Sequence, residues 1–314
     1  MAVFGRFGNM FPPEEYDKKP YLLDIEPFRI KGNLYYAGNA QYSCLVIDTG
    51  KGLILLDAPP AEHLSSTINN LWKLGYQPHD VKIILLSHEH TDHYGSAMGL
   101  KHYTGADIYL SRAGAEDLKA HPKFFDDMDS DFNSLNERVA PDVLLDDGDL
   151  IHLGNTTIRC IATPGHSRGT MSHFWTIHDG AKEYRAGIFG GGGFLTLSEE
   201  LLAKDGLDLS WRDVFAASID KVWNEPVDIM LGNHPFHADT LSKRARQLQG
   251  DEDAFVDPDE WHRLLQELKD SFAAYRSMSP EEVRIAFGPS AFEEYSGQYL
   301  RQLNAMVTEQ DSVA

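Results

Sequence analysis

The sequence predicts an α/β protein, a four-layer αββα sandwich in which two sheets face each other, helices cover their outer sides and further helices end the chain. Three observations predict it. Strand-like segments fall into two runs, residues 27–57 and 149–189, and each run leads into a stretch where helix and strand alternate. Val81 to Leu86 is an almost unbroken apolar strand, the pattern of a strand buried on both faces. A chain of 314 residues can bury a large core, as one domain of the bigger α/β kind or as two domains.

The elements come in this order. Residues 1–26, rich in proline and mixed charge, are expected to form an arm lying on the surface. Short strands are expected at Pro27 to Lys31, Asn33 to Tyr36, Tyr42 to Asp48 and Leu53 to Asp57, punctuated by Gly32, Gly38 and Thr49-Gly50-Lys51-Gly52. A helix over Ala61 to Leu74 carries Leu64, Ile68, Leu71 and Trp72 on one stripe and stops at Gly75. Strand Val81 to Leu86 leads to a helix from Ser96 to Tyr103, strand Asp107 to Leu110 and a helix from Ala113 to Ala120. The second run of strands is Asp149 to Leu153, Thr156 to Ala162, Ser172 to Ile177 and Glu183 to Phe189, followed by helix Trp211 to Trp223 and strand Val227 to Leu231.

Helices over Ser242 to Gln249, Pro258 to Arg276 and Ala291 to Val307 complete the chain. The second presents Trp261, Leu264, Leu265, Leu268, Phe272 and Tyr275 at helical spacing, and the third Phe292, Tyr295, Tyr299, Leu303 and Met306, both as packing faces. The expected organisation is an arm over 1–26, a main domain over 27–275 and a helical extension over 276–314 packed on it.

Bulk properties narrow the function. The net charge of −20, with no basic cluster to offset it, repels polyanions and argues against nucleic acid. No apolar run has the length needed to span a bilayer, so no membrane partner is expected. Met1 to Met10 lacks a basic start followed by an apolar segment, which points to a cytoplasmic protein; a chain trimmed of a leader reads the same way. Cys44 and Cys160 each lie in an apolar strand-like segment and are expected as buried free thiols.

The chemistry sits in Ser87-His88-Glu89-His90-Thr91-Asp92-His93, at the end of the strand Val81 to Leu86. Neutral imidazole and carboxylate are the ligands Zn²⁺ takes after thiolate. On a loop, His88 and His90 can point one way and Asp92 and His93 another, feeding two adjacent metals. His166, in Ala162-Thr163-Pro164-Gly165-His166-Ser167, comes after a second strand, and His234, in Met230-Leu231-Gly232-Asn233-His234-Pro235, after a third. Three strand ends therefore each deliver imidazole to one region.

A strand followed by His-x-His-x-Asp-His, with Thr163-Pro164-Gly165-His166 downstream, resembles the metallo-β-lactamase superfamily. The resemblance covers about residues 27 to 275 and implies two similar halves, although no sequence repeat is visible. It assigns His88, His90 and His166 to a first zinc and Asp92, His93 and His234 to a second, with His234 preferred over His237 because of the His-Pro step. Hydroxyacylglutathione hydrolases, lactonases and tRNA-processing nucleases of the superfamily carry a metal-bridging Asp after a later strand. Here that strand runs into Gly190-Gly191-Gly192-Gly193, with no carboxylate and no cysteine. The third subclass of metallo-β-lactamases also lacks the bridging Asp. It is further similar in Pro27-Phe28-Arg29-Ile30, Asn33-Leu34-Tyr35-Tyr36-Ala37-Gly38, Leu55-Leu56-Asp57 and Phe255-Val256-Asp257-Pro258.

The resemblance implies a hydrolase in which a hydroxide shared by two Zn²⁺ opens a cyclic amide, a β-lactam first in line, with Asp92 as the catalytic group that orients the water or passes its proton. A lactonase or small-ester or thioester hydrolase would use the same site. An iron-dependent persulfide oxygenase needs the bridging Asp, and a scaffold role is disfavoured by six intact ligands. Because Met1 to Met10 does not read as a secretion signal, a role in antibiotic resistance is expected to be the weaker one. The four-glycine run is expected to leave an open pocket or room for a larger substrate. Arg168 is expected to pair with a nearby surface acid rather than to orient an anionic group, and the acidic segment Phe124 to Phe132 is expected either to flank the pocket as a covering loop or to be a solvated loop. His63, His79, His102, His121, His152, His173, His178 and His262 are read as surface or core residues.

Overall fold

The computed structural model describes residues 5–7, 19–121 and 137–286. Two sheets carry the chain. The first runs β1 (Phe28–Lys31), β2 (Leu34–Tyr36), β3 (Leu45–Asp48), β4 (Leu53–Leu56), β5 (Val81–Leu85), β6 (Asp107–Ser111) and β7 (Val143–Leu145) in spatial order. Its first four strands are antiparallel neighbours, and β4 to β7 are parallel. The second sheet, in the order β12-β11-β10-β9-β8, holds β8 (Leu150–Leu153), β9 (Thr156–Ala162), β10 (Met171–Asp179) and β11 (Lys182–Ile188) antiparallel, with β12 (Ile229–Leu231) parallel to β11. Both sheets thus go from antiparallel hairpins to parallel strands, and the second stops after one parallel step.

Three apolar clusters define four layers. Leu45, Ile47, Ile54 and Ile83 of the first sheet meet Ile158, Trp175, Ile188 and Ile229 of the second between the sheets. Val46, Leu55, Ile84 and Ile108 face the other way, onto α1 (Leu64–Lys73) and α3 (Ala97–Thr104), which keep the sequence periodicity. Phe174 and Met230 face α6 (Trp211–Lys221) and α8 (Glu260–Arg276). Every residue of the expected α8 stripe, Trp261 through Tyr275, is buried. Cys44 and Cys160 are buried and unbridged. Among the described residues no helix is long and apolar enough to cross a membrane.

Several expectations are corrected. Trp72 is 53 % exposed, because one position beyond Leu71 turns a helical side chain about 100° off the buried stripe. The strand expected from Tyr42 starts at Leu45, since Ser43 N–H leaves the ladder to bond Asn233 O at 3.1 Å. Residues 5–7 do not lie on the surface as an arm: Phe7 is 1 % exposed inside the cluster with Phe194 and Phe174, and Arg6 pairs with Glu267. Three short elements have too few residues to show a period: β7, α5 (Glu199–Lys204) and α9 (Pro280–Ala286). The helix expected over Ala291 to Val307 and the loop Phe124 to Phe132 lie outside the described residues.

Candidate metal centre

The parallel strands β4 and β5 end side by side, and the segments leaving them are tied to each other. Leu86 and Ser87 continue past β5, and Ser87 N–H donates to Asp57 Oδ1 at 2.7 Å, just past β4. His90 O then accepts from His93 N at 2.9 Å, closing a single helical turn, α2 (Thr91–Tyr94), that presents Asp92 and His93. His166 comes after β9, in a turn whose residue Gly165 sits at φ 141°, a region open to glycine. His234 comes after β12. All six expected donors are brought together at these strand ends.

The donor atoms converge in two groups. His88 Nε2 faces His90 Nδ1 at 3.1 Å, and with His166 they form a set whose ligand atoms lie within 4.8 Å of one another. His88, Asp92 and His93 form a second set at the same spacing. His234 joins through the carboxylate: Asp92 Oδ2 is 3.3 Å from both His93 Nε2 and His234 Nε2. The side chains of Asp92 and His234 are 15 % and 14 % exposed, so solvent reaches the cluster on that side, while His88 is fully buried.

Behind the donors, the other ring nitrogens of four of the five imidazoles are committed. His166 Nδ1 donates to Gly193 O at 2.6 Å, His234 Nδ1 to Gln41 O at 2.8 Å and His93 Nδ1 to Asp57 Oδ2 at 3.0 Å. Ser87 Oγ donates to Asp57 Oδ2 at 2.9 Å and so accepts from His88 Nδ1 at 3.0 Å. His88 and His166 therefore turn an Nε2 lone pair inward, the tautomer a metal ligand needs, while His93 and His234 point Nε2 at the Asp92 carboxylate. Two imidazole nitrogens facing at 3.1 Å, with a carboxylate oxygen 3.3 Å from two more, make a donor set that fits divalent cations of the zinc type.

The electrostatics differ across the cluster. Burial drives His88 and His90 well below the ordinary imidazole value and lowers His166 to about 4, which keeps all three neutral. Burial alone would raise Asp92, but His93 and His234 outweigh it and hold the carboxyl well below its usual range. Burial alone would likewise lower His93, yet Asp92 and Asp57 on either side raise it to about 10.

Asp57 is a site residue that the sequence alone does not reveal. It is fully buried, sits at φ 64°, and accepts from Ser87 N, Ser87 Oγ and His93 Nδ1. A left-handed backbone at a non-glycine residue costs on the order of 1–3 kcal/mol, tolerated where several contacts fix it. The available signal is an acid directly after the apolar Leu53 to Leu56. Arg168 pairs with Asp117 at 2.8 Å and Asp205 at 3.3 Å, in line with the expected acid partner although both acids are buried rather than on the surface, and it lines a small pocket together with His90 and His166. His237 turns Nδ1 to Asn233 Oδ1 at 3.0 Å, behind His234.

The glycine run leaves no open pocket, which corrects the expectation. A Cβ on Gly190 would sit 1.9 Å from Met171 O and one on Gly191 2.6 Å from the His166 ring, while Phe7 fills the space beside Gly192. Gly191 has room for no side chain because backbone passes directly against the His166 imidazole, and Gly190 because it passes against Met171 O.

Residues 37–178 match the family model of the metallo-β-lactamase superfamily. Over 86 % of this chain and 99 % of the other, the fold superposes on BJP-1 of Bradyrhizobium japonicum, a subclass B3 metallo-β-lactamase, with TM-score 0.74 and 28 % identity. The chain thus shares the fold of metallo-β-lactamases over most of its length and is similar in sequence to the superfamily over residues 37–178. Native FEZ-1 from Legionella gormanii is similar at 27 % identity over 81 % of this chain and 96 % of its own, TM-score 0.73. GOB-18 from Elizabethkingia meningoseptica is similar at 28 %, covering 85 % and 96 %, TM-score 0.71. Among curated proteins, a hydroxyacylglutathione hydrolase of Pseudomonas entomophila is 30 % identical over 136 residues, 43 % of this chain and 38 % of that protein. A probable polyketide biosynthesis zinc-dependent hydrolase of Bacillus velezensis, BaeB, is 28 % identical over 145 residues, 46 % of this chain and 55 % of that protein. The chain thus spans about half or less of the length of these curated relatives.

Proposed function

We propose that this protein is a zinc-dependent hydrolase that uses two Zn²⁺ ions, one at His88, His90 and His166 and one at Asp92, His93 and His234, to open a cyclic amide, with a β-lactam as the first substrate to test. The observation that carries the reading is that five imidazoles and one carboxylate from three strand ends converge, four of the rings with their back nitrogens already committed. Metal at these donors supplies Lewis acidity, lowering the pKa of water from about 15.7 to about 7 and polarising a carbonyl oxygen.

The chain's own residues do the rest. His88, His90 and His166 stay neutral through burial and keep their lone pairs available. Asp92, kept ionised by His93 and His234, orients the attacking water through its carboxylate or passes that water's proton on towards the leaving nitrogen. Asp57 fixes the His93 ring so that Asp92 keeps its partner.

A second reading, a lactone or small-ester or thioester hydrolase, is favoured by the hydroxyacylglutathione hydrolase among the relatives. The two separate in one experiment: zinc-loaded protein is assayed against a panel of β-lactams, homoserine lactones and thioesters. β-Lactam turnover far above the rest supports the first reading, and turnover confined to esters or thioesters replaces it with the second. Full activity in metal-stripped protein would contradict both.

A further inference from the structure

The residue between the first two candidate ligands, Glu89, has no part in the reaction outlined above, yet it is fully buried. Past the end of β5 the chain bends through Ser87 to Glu89, and His88 and His90 turn into the cluster while Glu89 turns away from it. Its carboxylate lands on the turn that carries His166. Glu89 Oε1 accepts from Gly169 N–H at 2.9 Å, and Oε2 accepts from Ser167 Oγ at 2.9 Å. Gly169 O in turn accepts from Ser111 Oγ at 2.7 Å, so the peptide groups on both sides of Gly169 are tied.

The slot is shaped for this carboxylate. A Cβ on Gly169 would stand 2.4 Å from Glu89 Oε2 and one on Gly114 2.8 Å from it. Two glycines on separate elements therefore leave room for one acidic side chain. A buried acceptor with two donors in such a slot is a tight clamp, because losing it strands a backbone N–H away from water.

We propose that Glu89 is a positioning residue: it ties the His88–His90 segment to the Ser167–Gly169 turn and so sets where His166 stands relative to the other two imidazoles. The inference rests on reading those three histidines as a metal triad. Removing the clamp loosens the triad, and a lost outer partner of this sort typically weakens metal binding about 10–100-fold.

The test measures metal affinity and geometry, not turnover. In a His234→Ala background, which leaves the first triad intact, Co²⁺ is titrated by its visible absorption and in competition with a chelator. The series is Glu89, Glu89→Ala, Glu89→Gln and Ser167→Ala, with metal-free melting temperatures recorded in parallel. Glutamine keeps an acceptor for Gly169 and can donate to Ser167, so Glu89→Gln should bind within a few-fold of the parent with the same spectrum. Glu89→Ala should lose about 10–100-fold and change the spectrum. Ser167→Ala, which removes one anchor and leaves no large void, should fall between them and covers the case in which Glu89→Ala fails to fold.

Unchanged affinity and spectrum in Glu89→Ala, or in Ser167→Ala should the former not fold, would overturn the proposal. So would a Glu89→Gln variant as impaired as the alanine, since charge rather than the clamp would then be at stake. A parent that binds no cobalt at all would overturn the metal-triad reading together with this inference, a result visibly different from a parent that binds and a Glu89→Ala that binds equally well.

Discussion

The two donor triads lie against each other, yet they are held by opposite means. His88, His90 and His166 form a set without charge, desolvated into neutrality and fixed from behind by a hydroxyl, a carbonyl and the Glu89 clamp. Asp92, His93 and His234 form a charged set, in which His93 stands between two carboxylates and Asp57 is bent into a left-handed backbone to be one of them. The first triad depends on fit, the second on charge. Close packing governs where no charge can compensate a displaced ring, and a buried carboxylate governs where the ring must be drawn to one side.

The contrast can be broken outright with His90→Ala. Zinc content should fall and turnover of whichever ester or amide is the substrate should drop by a factor on the order of 10³ or more, read by metal analysis and hydrolysis assay. Turnover within a few-fold of the parent would remove the first triad from the mechanism.

Fit is tested next by Gly191→Ala. Its Cβ would stand 2.6 Å from a ring that Gly193 O holds in place, so the strain should cost about 3 kcal/mol of stability and displace His166. Gly193→Ala places its Cβ 3.5 Å from the same ring, an ordinary contact, and should be nearly silent. Equal denaturation midpoints for the two variants would refute the crowding argument.

Charge is tested by Asp57→Asn. Asparagine tolerates the left-handed backbone but has one acceptor oxygen where Asp57 serves three donors. Metal affinity at Asp92, His93 and His234 should weaken about 10–100-fold, and more than at the His88, His90 and His166 set, which Asp57 reaches only through Ser87, a difference that isothermal titration of single-triad variants would resolve.

The smallest effect comes from a histidine outside both triads. His173 on β10 is fully buried, and burial lowers it to about 4. The unfolded chain takes up this proton first, so stability is full above about pH 6.5 and is lost as pH falls from there towards 4. Between pH 7.5 and 5 the loss should be about 2 kcal/mol greater in the parent than in His173→Phe, measured by urea denaturation. Parallel pH profiles for the two proteins would show that His173 is not the titrating group.

Much of the site is legible in the sequence because its donors sit where apolar strands end: the run of imidazoles after Val81–Leu85 needs no partner to be conspicuous. Residues acting from behind are not legible. Glu89 has the composition of any loop acid, and its role appears only when Gly114 and Gly169 close around it from elements 25 and more residues away. Gly190 to Gly193 suggest vacant space, whereas the fold fills that space with His166, Met171 and Phe7. Trp72 suggests burial by composition and is turned outward by one residue of helical phase.

The amino-acid order alone settled most of the longer elements and which side chains are chemically equipped, because periodicity and donor type are local properties of the chain. Only the folded arrangement decided which imidazole nitrogen faces inward, what stands behind each ring and why certain positions admit no side chain. Those depend on distances between segments far apart in the chain, set by how two sheets pack and not by any single stretch.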